Sequence, residues 1–216
     1  MGVLAMVLGP SGSGKSTSIL TLGGVDVEVF GVTGKRLPFR TEIPMTAHAG
    51  YRTIYNALRK NDSKAYVIDD STYLMQLDNF KRAKDKGFEK FVTMAVSFET
   101  LLEAAMATSD DTVIYFLHHP QFGDDGTAKP QTIGKMLDNQ LCVEGLFDII
   151  LECGLYDGRH VFFTNEHGIS KTPMGMFEQK VIDNDLGLVD HTIREFWGMK
   201  PLAKRMSAVA PGGDAA

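Results

Sequence analysis

The sequence GPSGSGKST, residues 9–17, decides the fold of this chain, and it directly follows the apolar run VLAMVL at residues 3–8. It fits the pattern G-x-x-x-x-G-K-[ST] at every position, from Gly9 to Ser16. Glycines let the backbone bend so that successive N–H groups point at phosphate oxygens, and a following helix adds its positive end. The stretch therefore predicts a buried strand, a phosphate-binding loop and a helix over residues 15–22 that Gly23 and Gly24 stop.

Within this loop each residue type has an expected task. Lys15 should reach the β- and γ-phosphates of a nucleoside triphosphate, and the Ser16 hydroxyl should bind Mg²⁺. We expect Lys15 to face solvent in the unliganded protein, so that its loss costs little stability. The predicted nucleotide-contacting set is the whole loop: Gly9, Pro10, Ser11, Gly12, Ser13, Gly14, Lys15, Ser16 and Thr17.

A second element, AYVIDD at residues 65–70, is an apolar strand that ends in carboxylates. This pattern is typical of a Walker B strand, whose aspartate binds Mg²⁺ through water. Asp69 ends the apolar run, so we assign the metal to Ser16 and Asp69. A strand followed by a turn with two capping residues would give the same pattern.

Hydrolysis also needs a group that orients or deprotonates water, and two carboxylates compete for this task. Glu42 follows the second predicted strand, and Asp70 follows Asp69. His118 and His119 end the fourth predicted strand, TVIYFL at 112–117, where His119 is a candidate sensor of the γ-phosphate. A polar residue that is merely hydrogen-bonded at a strand end is the alternative for this pair.

Length and composition indicate one soluble domain. The chain has 216 residues, of which 44% are hydrophobic and 23% are charged, and its formal net charge is −5. That balance excludes a protein that is basic over its whole surface, so any nucleic-acid binding must use local patches. No apolar run approaches the roughly 20 residues that span a bilayer, and two cysteines make no disulfide framework. We expect a cytoplasmic protein with no membrane partner.

Strands alternate with helices as far as residue 117, and antiparallel strands follow. Asp157-Gly158 is a strong hairpin signal between the runs at 147–156 and 159–164. The other predicted elements are a strand at 27–32, an irregular connection at 33–47, helices at 48–60 and from about 91 to 107, a loop at 120–133, and a last helix that Asn184 or Asp185 caps and Gly198 ends. The pattern predicts a parallel α/β core with an antiparallel extension.

This ordered set of motifs resembles the RecA-like, core-only P-loop ATPases of bacteriophages, which are associated with single-strand annealing and recombination. The resemblance covers residues 1–198 and rests on GPSGSGKST, AYVIDDS, TVIYFLHH and the late segment ISKTPMG. It implies a RecA-like core over 1–198 and a tail at 199–216 that we expect to be disordered. It also implies ATP and Mg²⁺ as cofactors, assembly into a hexameric ring or a filament, and the cytoplasm of an infected bacterial host as the location.

The resemblance carries over three further assignments. The water-orienting glutamate of RecA proteins corresponds to Glu42, in competition with Asp70. A lysine after the late hairpin acts in the neighbouring subunit's ATP site, and Lys171 matches it. The two DNA-contacting loops correspond to residues 79–90 and 120–135. A single-strand-binding protein is a further candidate partner.

The segment 79–90 has a physical reason of its own to bind single-stranded DNA. It carries five basic and two acidic residues with phenylalanines between them, which suits phosphates and stacked bases. A solvated start of a helix, with Phe88 and Phe91 in the core, is the alternative. The candidate DNA-binding residues are Lys81, Arg82, Lys84, Lys86 and Phe88, with Lys129 and Lys135 from the second loop.

Three functions remain open at this point. The first is an ATPase that oligomerises on single-stranded DNA and promotes annealing or strand pairing. The second is an accessory protein of replication or packaging, such as a helicase loader, in which ATP is a conformational switch. The third is a small-molecule kinase, which the lack of an arginine-rich lid segment after the fourth strand disfavours.

Overall fold

The computed structural model describes residues 1–123, 126–134, 137 and 140–203. The strands there are β1 (Val3–Leu8), β2 (Val27–Gly31), β3 (Met45–Ala47), β4 (Ala65–Asp69), β5 (Val113–His118), β6 (Pro120–Phe122), β7 (Ala128–Pro130), β8 (Ile149–Tyr156), β9 (Arg159–Phe163) and β10 (Val181–Asp183). The α-helices are α1 (Tyr51–Lys60), α2 (Tyr73–Lys81), α3 (Glu89–Met106) and α4 (Leu186–Trp197), and 3-10 helices cover Ser16–Thr21 and Val143–Leu146.

Among the described residues, eight strands form one sheet in the order β10-β9-β8-β1-β5-β4-β2-β3. The six strands from β8 to β3 are parallel to their neighbours, and β9 and β10 extend the β8 edge in antiparallel fashion. The predicted fold class, an α/β domain with a mostly parallel sheet flanked by helices and a C-terminal antiparallel hairpin, is confirmed.

Both faces of the sheet are covered, which explains why the central strands are continuous apolar runs. Every residue of β1, β4 and β5 is buried. One face packs against apolar residues of α1, α2 and α3, and the other packs against the Ser16–Thr21 helix and α4. The result is a three-layer domain whose loops meet at the two ends of the strands.

Several local predictions need correction. The segment after the phosphate loop forms the tighter 3-10 helix over Ser16–Thr21 in place of an α-helix over 15–22. The connection at 33–47 ends in β3, which adds a parallel edge strand beside β2. The loop at 120–133 contains the β6–β7 hairpin. The first strand of the late hairpin, β8, belongs to the parallel core because it pairs with β1.

Helix α2 was not predicted, and it absorbs the start of the predicted loop at 79–90. Its buried residues Leu74 and Met75 are adjacent in sequence, and Leu77 is exposed, so the segment lacks a regular apolar face. Tertiary packing against α3 therefore stabilises a helix that periodicity does not reveal. The basic loop that remains between α2 and α3 is residues 82–88.

Helix α4 fixes the end of the described chain. The Asp185 carboxylate caps it by accepting a hydrogen bond from Leu188 N at 2.8 Å, and Gly198 ends it at φ +65°. The buried Arg194 guanidinium donates to Asp190 and to the Lys200 carbonyl. Lys200 N donates to Asp111 Oδ1 at 2.8 Å and the Ala203 carbonyl accepts from Val25 N at 3.1 Å, so residues 199–203 of the predicted tail contact the domain. Residues 204–216 lie outside the described part. Among the described helices, none is long and apolar enough to cross a membrane.

Candidate functional site

The phosphate loop, the two aspartates and the two histidines meet at the carboxyl edge of the parallel strands. The loop follows β1, Asp69 ends β4, and His118 ends the intervening strand β5. Ligands of open parallel sheets bind at this edge, where loops from several strands converge. The topology therefore brings together side chains that are far apart in the sequence.

The phosphate loop has the backbone that its glycines predict. Gly12 and Gly14 have φ values of +81° and +103°, which L-residues with a Cβ rarely adopt. The Ser13 hydroxyl oxygen is buried without a hydrogen-bond partner among the described residues. A polar atom of this kind favours a bound polar ligand in the loop.

Lys15 is not solvent-facing, which corrects our expectation. Its side chain is 6% exposed, and its ammonium donates hydrogen bonds to the carbonyls of Gly9 at 2.6 Å and Pro10 at 2.9 Å. Burial lowers the pKa of this ammonium below its ordinary value, and nearby negative charges oppose the shift. The carbonyls of the loop thus accept the hydrogen bonds that the Lys15 ammonium would otherwise donate to a phosphate.

Ser16 and Asp69, which the sequence predicts as the metal-binding pair, lie in direct contact. The Ser16 hydroxyl donates to Asp69 Oδ1 at 2.8 Å, although the two residues are 53 positions apart. Burial raises the pKa of the Asp69 carboxyl, and the hydrogen bond from Ser16 opposes that shift. Hydroxyl and carboxylate oxygens are the hard ligands that Mg²⁺ prefers, and Mg²⁺ commonly binds with few protein ligands and several waters. The residues present fit a magnesium–nucleotide complex.

Asp70 lies at the junction of three strands. It has a left-handed φ of +62°, its Oδ2 accepts from Thr33 Oγ1 at 2.9 Å, and Lys35 Nζ lies 3.8 Å from Oδ2. His119 Nε2 lies 3.4 Å from Oδ1. The contact with His119, then that with Thr33, lowers the pKa of the Asp70 carboxyl in spite of its partial burial. Sequence reasoning placed Asp70 and His119 in the site and gave no role to Thr33 or Lys35.

Glu42, the competing carboxylate, lies on a different side of the fold. It is exposed and precedes β3, and the register pairs Met45 with Val29, two residues before the end of β2. Because β3 is parallel to β2, residue 42 lies further towards the amino edge of the sheet. The geometry favours Asp70 over Glu42 for water orientation.

His118 and His119 have separate environments. His118 is fully buried, with Nδ1 2.8 Å from Ser71 Oγ and Nε2 2.9 Å from the Gln131 carbonyl oxygen. Burial lowers its pKa to about 4, so it is neutral at physiological pH. His119 instead points to Asp70. Among the described residues, no group of three or more metal-ligating side chains is found, so nothing supports metal binding by this pair.

Lys171 returns to the edge of β8 after the loop at 164–170. Its backbone forms an antiparallel bridge with Ile150, whose neighbour in β1 is Met6, three residues before Gly9. The Glu152 carboxylate and the Asn165–Thr172 hydrogen bonds brace this loop. Lys171 therefore lies beside the middle of the sheet and not at the carboxyl edge, where its own phosphate loop lies.

The predicted DNA-binding residues of the 79–90 segment are largely at the surface. Lys81, Lys84 and Lys86 are exposed, and Arg82 is half-buried with an ion pair to Asp78. Phe88 is 61% exposed, which excludes the alternative that it lies in the core. In the second loop, Lys129 is half-buried on β7, Phe122 is an exposed aromatic residue that sequence reasoning missed, and Lys135 lies outside the described residues.

Cys153 on β8, His160 on β9 and Asn184 before α4 also lie against the phosphate loop, and sequence reasoning gave none of them this role. Cys153 Sγ donates to the Ser13 carbonyl at 3.1 Å, and Asn184 Nδ2 donates to the Gly14 carbonyl at 3.0 Å. A Cβ on Gly14 would lie 3.0 Å from Cγ of His160. Asn184 is 170 positions from Gly14, and its only sequence signal was its place before α4.

Comparisons with known proteins find similarity at the level of solved structures. No protein-family model matches the sequence, and no curated protein matches it. A prototypical ATPase of the type III secretion system of pathogenic bacteria shares 14% identity over 70% of this chain and 52% of its own, with a TM-score of 0.46. The Legionella pneumophila ATPase DotB shares 14% identity over 75% of this chain and 44% of its own, with a TM-score of 0.40. The chain spans about half the length of these ATPases. At these TM-scores the likeness carries no argument about activity.

Proposed function

We propose that the chain is a magnesium-dependent ATPase that acts as an oligomer on single-stranded DNA, as in phage annealing or strand pairing. The observation that carries the ATPase proposal is the hydrogen bond between Ser16 and Asp69 directly below a complete phosphate loop. Ser16 and Asp69 are 53 positions apart in the sequence, and the fold brings their side chains within 2.8 Å of each other. A glycine-rich turn without a nucleotide-binding role would not be expected to lie against a buried carboxylate.

Each residue of the site has a task in this proposal. The bound magnesium–ATP complex supplies the reactive γ-phosphoryl group and a cation that offsets its charge. Ser16 and Asp69 would hold the cation. Lys15 leaves the carbonyls of Gly9 and Pro10 and donates to phosphate oxygens. The loop amides surround the phosphates and exclude water from them.

Asp70 orients the attacking water. Because its pKa is lowered, it is anionic at neutral pH and accepts a hydrogen bond from a water molecule. Thr33 and His119 fix the direction of its two oxygens. His119 directly follows β5, and β5 lies between the loop strand and the Asp69 strand, which supports a role for His119 as a sensor of the γ-phosphate.

Single-stranded DNA is supported by the surface chemistry of the loop between α2 and α3. Exposed Phe80 and Phe88, at 77% and 61%, flank the basic residues Lys81, Lys84 and Lys86. Exposed aromatic rings between cations suit stacked bases and phosphates, whereas a globular domain normally buries them. Helix α2, which begins three residues after Asp70, connects this loop to the catalytic edge.

Self-association is supported by the segment around Lys171. This lysine lies at the β8 edge away from its own loop, and Met174, three residues further on, is 98% exposed. A cation supplied across a subunit interface stabilises charge that spreads over the phosphoryl oxygens during transfer. In this proposal Lys171 reaches the ATP of a neighbouring subunit.

The test compares ATP turnover with and without single-stranded DNA. We expect stimulation by DNA; tight ATP binding with negligible turnover under both conditions would favour the switch protein, and turnover that requires a small acceptor would favour a kinase. The triple variant Lys81→Ala, Arg82→Ala and Lys84→Ala should lose DNA affinity and flatten its salt dependence. The slope should change by about 0.7 for each phosphate that the variant no longer neutralises.

A matched control removes three exposed cations from α1, by Arg52→Ala, Arg59→Ala and Lys60→Ala. Both triple variants change the net charge by −3, so a non-specific charge effect would reduce DNA binding in both. Phe88→Ala should weaken DNA binding with little change in salt slope, and its exposure predicts an unchanged melting temperature. Wild-type affinity and salt slope in the Lys81 triple variant would refute the DNA assignment to this loop.

A further inference from the structure

Two side chains, one from β8 and one from the segment between β10 and α4, hold the phosphate loop by hydrogen bonds to its carbonyls. The Ser13 carbonyl accepts from the Cys153 thiol, and the Gly14 carbonyl accepts from the Asn184 amide. Cys153 is on β8, and Asn184 stands between β10 and α4. The two side chains are 3.6 Å apart, measured from Cys153 Sγ to Asn184 Oδ1, so they form one contact surface.

These two carbonyls belong to the peptide units that carry the phosphate-facing donors. In a trans peptide unit the C=O and the N–H of the next residue point in opposite directions. The Ser13 carbonyl therefore fixes the N–H of Gly14, and the Gly14 carbonyl fixes the N–H of Lys15. Because Cys153 and Asn184 hold the two carbonyls, the N–H groups of the same peptide units point away from these side chains and into the loop.

These contacts restrain a loop glycine, the residue type with the greatest backbone freedom. Gly14 is in the left-handed region at φ +103° and carries no side chain, so its peptide units rotate more easily than those of other residues. Ser18 N also donates to the Gly14 carbonyl at 3.1 Å, whereas the Ser13 carbonyl receives its bond from Cys153. Burial raises the pKa of the Cys153 thiol to about 11, so it is a protonated donor at neutral pH.

The contact is too close for a larger residue at position 14. A Cβ on Gly14 would lie 2.6 Å from Asn184 Nδ2, closer than side-chain atoms approach one another. The Asn184 side chain thus packs directly against the backbone of Gly14. Neither Ser16 nor Asp69 takes part in this contact.

We propose that Asn184 and Cys153 are positioning residues for phosphate binding, which hold the N–H groups of Gly14 and Lys15 towards the β- and γ-phosphates. This inference rests on the proposed ATP-binding function. It assigns a nucleotide-binding role to β8 and to the segment between β10 and α4. The ligand chemistry that these residues serve is the polyphosphate chain and not the nucleobase.

The experiment measures the dissociation constants of ATP and of inorganic tripolyphosphate for wild type, Asn184→Ala, Asn184→Asp, Cys153→Ala and Cys153→Ser. Loss of one orienting hydrogen bond should weaken ATP binding about five- to tenfold in Asn184→Ala. Asn184→Asp should be weaker still, because it places an acceptor and a negative charge against the Gly14 carbonyl. Cys153→Ser keeps a donor and should bind ATP more tightly than Cys153→Ala.

Tripolyphosphate separates a role in phosphate binding from other roles. Both ligands should lose affinity by the same factor in each Asn184 variant. A loss for ATP with unchanged tripolyphosphate affinity would move Asn184 to the nucleoside and overturn the inference. The matched control is Asn61→Ala, which removes a hydrogen bond to Thr112 at the opposite edge of the sheet and should lose stability but no ligand affinity.

Ligand binding by wild type distinguishes failure of the proposed function from failure of the positioning role. If wild type binds neither ligand, the proposed function is wrong. If wild type binds both and every Asn184 and Cys153 variant binds as wild type, the proposed function stands and the positioning role is refuted. If each variant's loss of affinity merely follows its loss of melting temperature, as in Asn61→Ala, the role is structural and the inference is overturned.

Discussion

Replacement of Lys15 by methionine should abolish nucleotide binding at almost no cost in stability. Lys15 is 6% exposed and donates to two carbonyls, so truncation to alanine would open a cavity and leave acceptors without their donor. Methionine has a similar length and no charge. It loses two hydrogen bonds worth about 1 kcal/mol each but removes a buried ammonium whose desolvation costs a comparable amount.

The expected difference in unfolding free energy between Lys15→Met and wild type is therefore below about 1 kcal/mol. For a protein of this size that corresponds to a melting-temperature shift below about 4 °C. The lowered pKa of Lys15 gives the pH dependence a definite sign. Between the lowered value and 10.5 the unfolded chain binds more protons than the folded protein. Wild type should thus gain stability relative to Lys15→Met as pH rises through that window.

The assay is thermal unfolding with and without Mg²⁺–ATP. At 100 times its dissociation constant, ATP should stabilise wild type by about 2.7 kcal/mol, which raises the melting temperature by roughly 5–11 °C. A hundredfold loss of affinity leaves about 0.4 kcal/mol, or about 1 °C, for Lys15→Met. An ATP-induced shift equal to that of wild type would refute the assignment of Lys15. A fall of more than about 8 °C without ATP would refute the account of its burial.

The remaining predictions concern the metal, the water and the subunit interface. Asp69→Asn should lose turnover at every Mg²⁺ concentration, since an amide lacks the charge that holds the metal waters. Asp70→Asn should lower turnover at least tenfold with ATP affinity unchanged, whereas Glu42→Gln should retain it, and the reverse result would restore Glu42 as the water-orienting residue. Mixing Lys171→Ala with Lys15→Met subunits should restore part of the activity. No recovery at any ratio, with co-assembly demonstrated, would exclude a role in trans.

Local chemistry made the phosphate loop and the Walker B strand predictable from the sequence. Both motifs are contiguous, and the residue types at each position follow from what a phosphate or a cation requires. The strands β1, β4 and β5 were predictable for the same reason, since a strand buried on both faces must be apolar throughout. The position of Glu42 relative to Asp70 was not predictable, because it depends on the register of β3 against β2.

Contacts distant in sequence account for what could not be predicted. Nothing in GPSGSGKST shows that the Lys15 ammonium turns back onto the carbonyls of Gly9 and Pro10. Asn184 had the composition signal of a helix cap, but Asp185 caps α4 and Asn184 reaches the loop instead. Helix α2 could not be predicted from periodicity, because it packs on α3 without a regular apolar face.

The two candidate DNA-binding loops share one rigid connection to the catalytic edge. Helix α2 begins three residues after Asp70 and carries the first loop about 13 Å away at its far end. Gln76 on α2 donates to the Gln131 side chain at 3.3 Å, and Gln131 follows β7 of the second loop. His118 also holds the Gln131 carbonyl and the Ser71 hydroxyl.

In the proposed mechanism, ATP and DNA both act on the position of α2 through this connection. A ligand can shift a conformational equilibrium only through contacts that differ between the two states. Asp70 is the contact on the nucleotide side, because a bound water would compete with Thr33 and His119 for its oxygens. Any displacement of Asp70 moves the start of α2, and Gln131 carries that displacement to the second loop. DNA bound to both loops would restrain α2 from the other end, so it should act on the orientation of Asp70 and hence on turnover more than on ATP affinity.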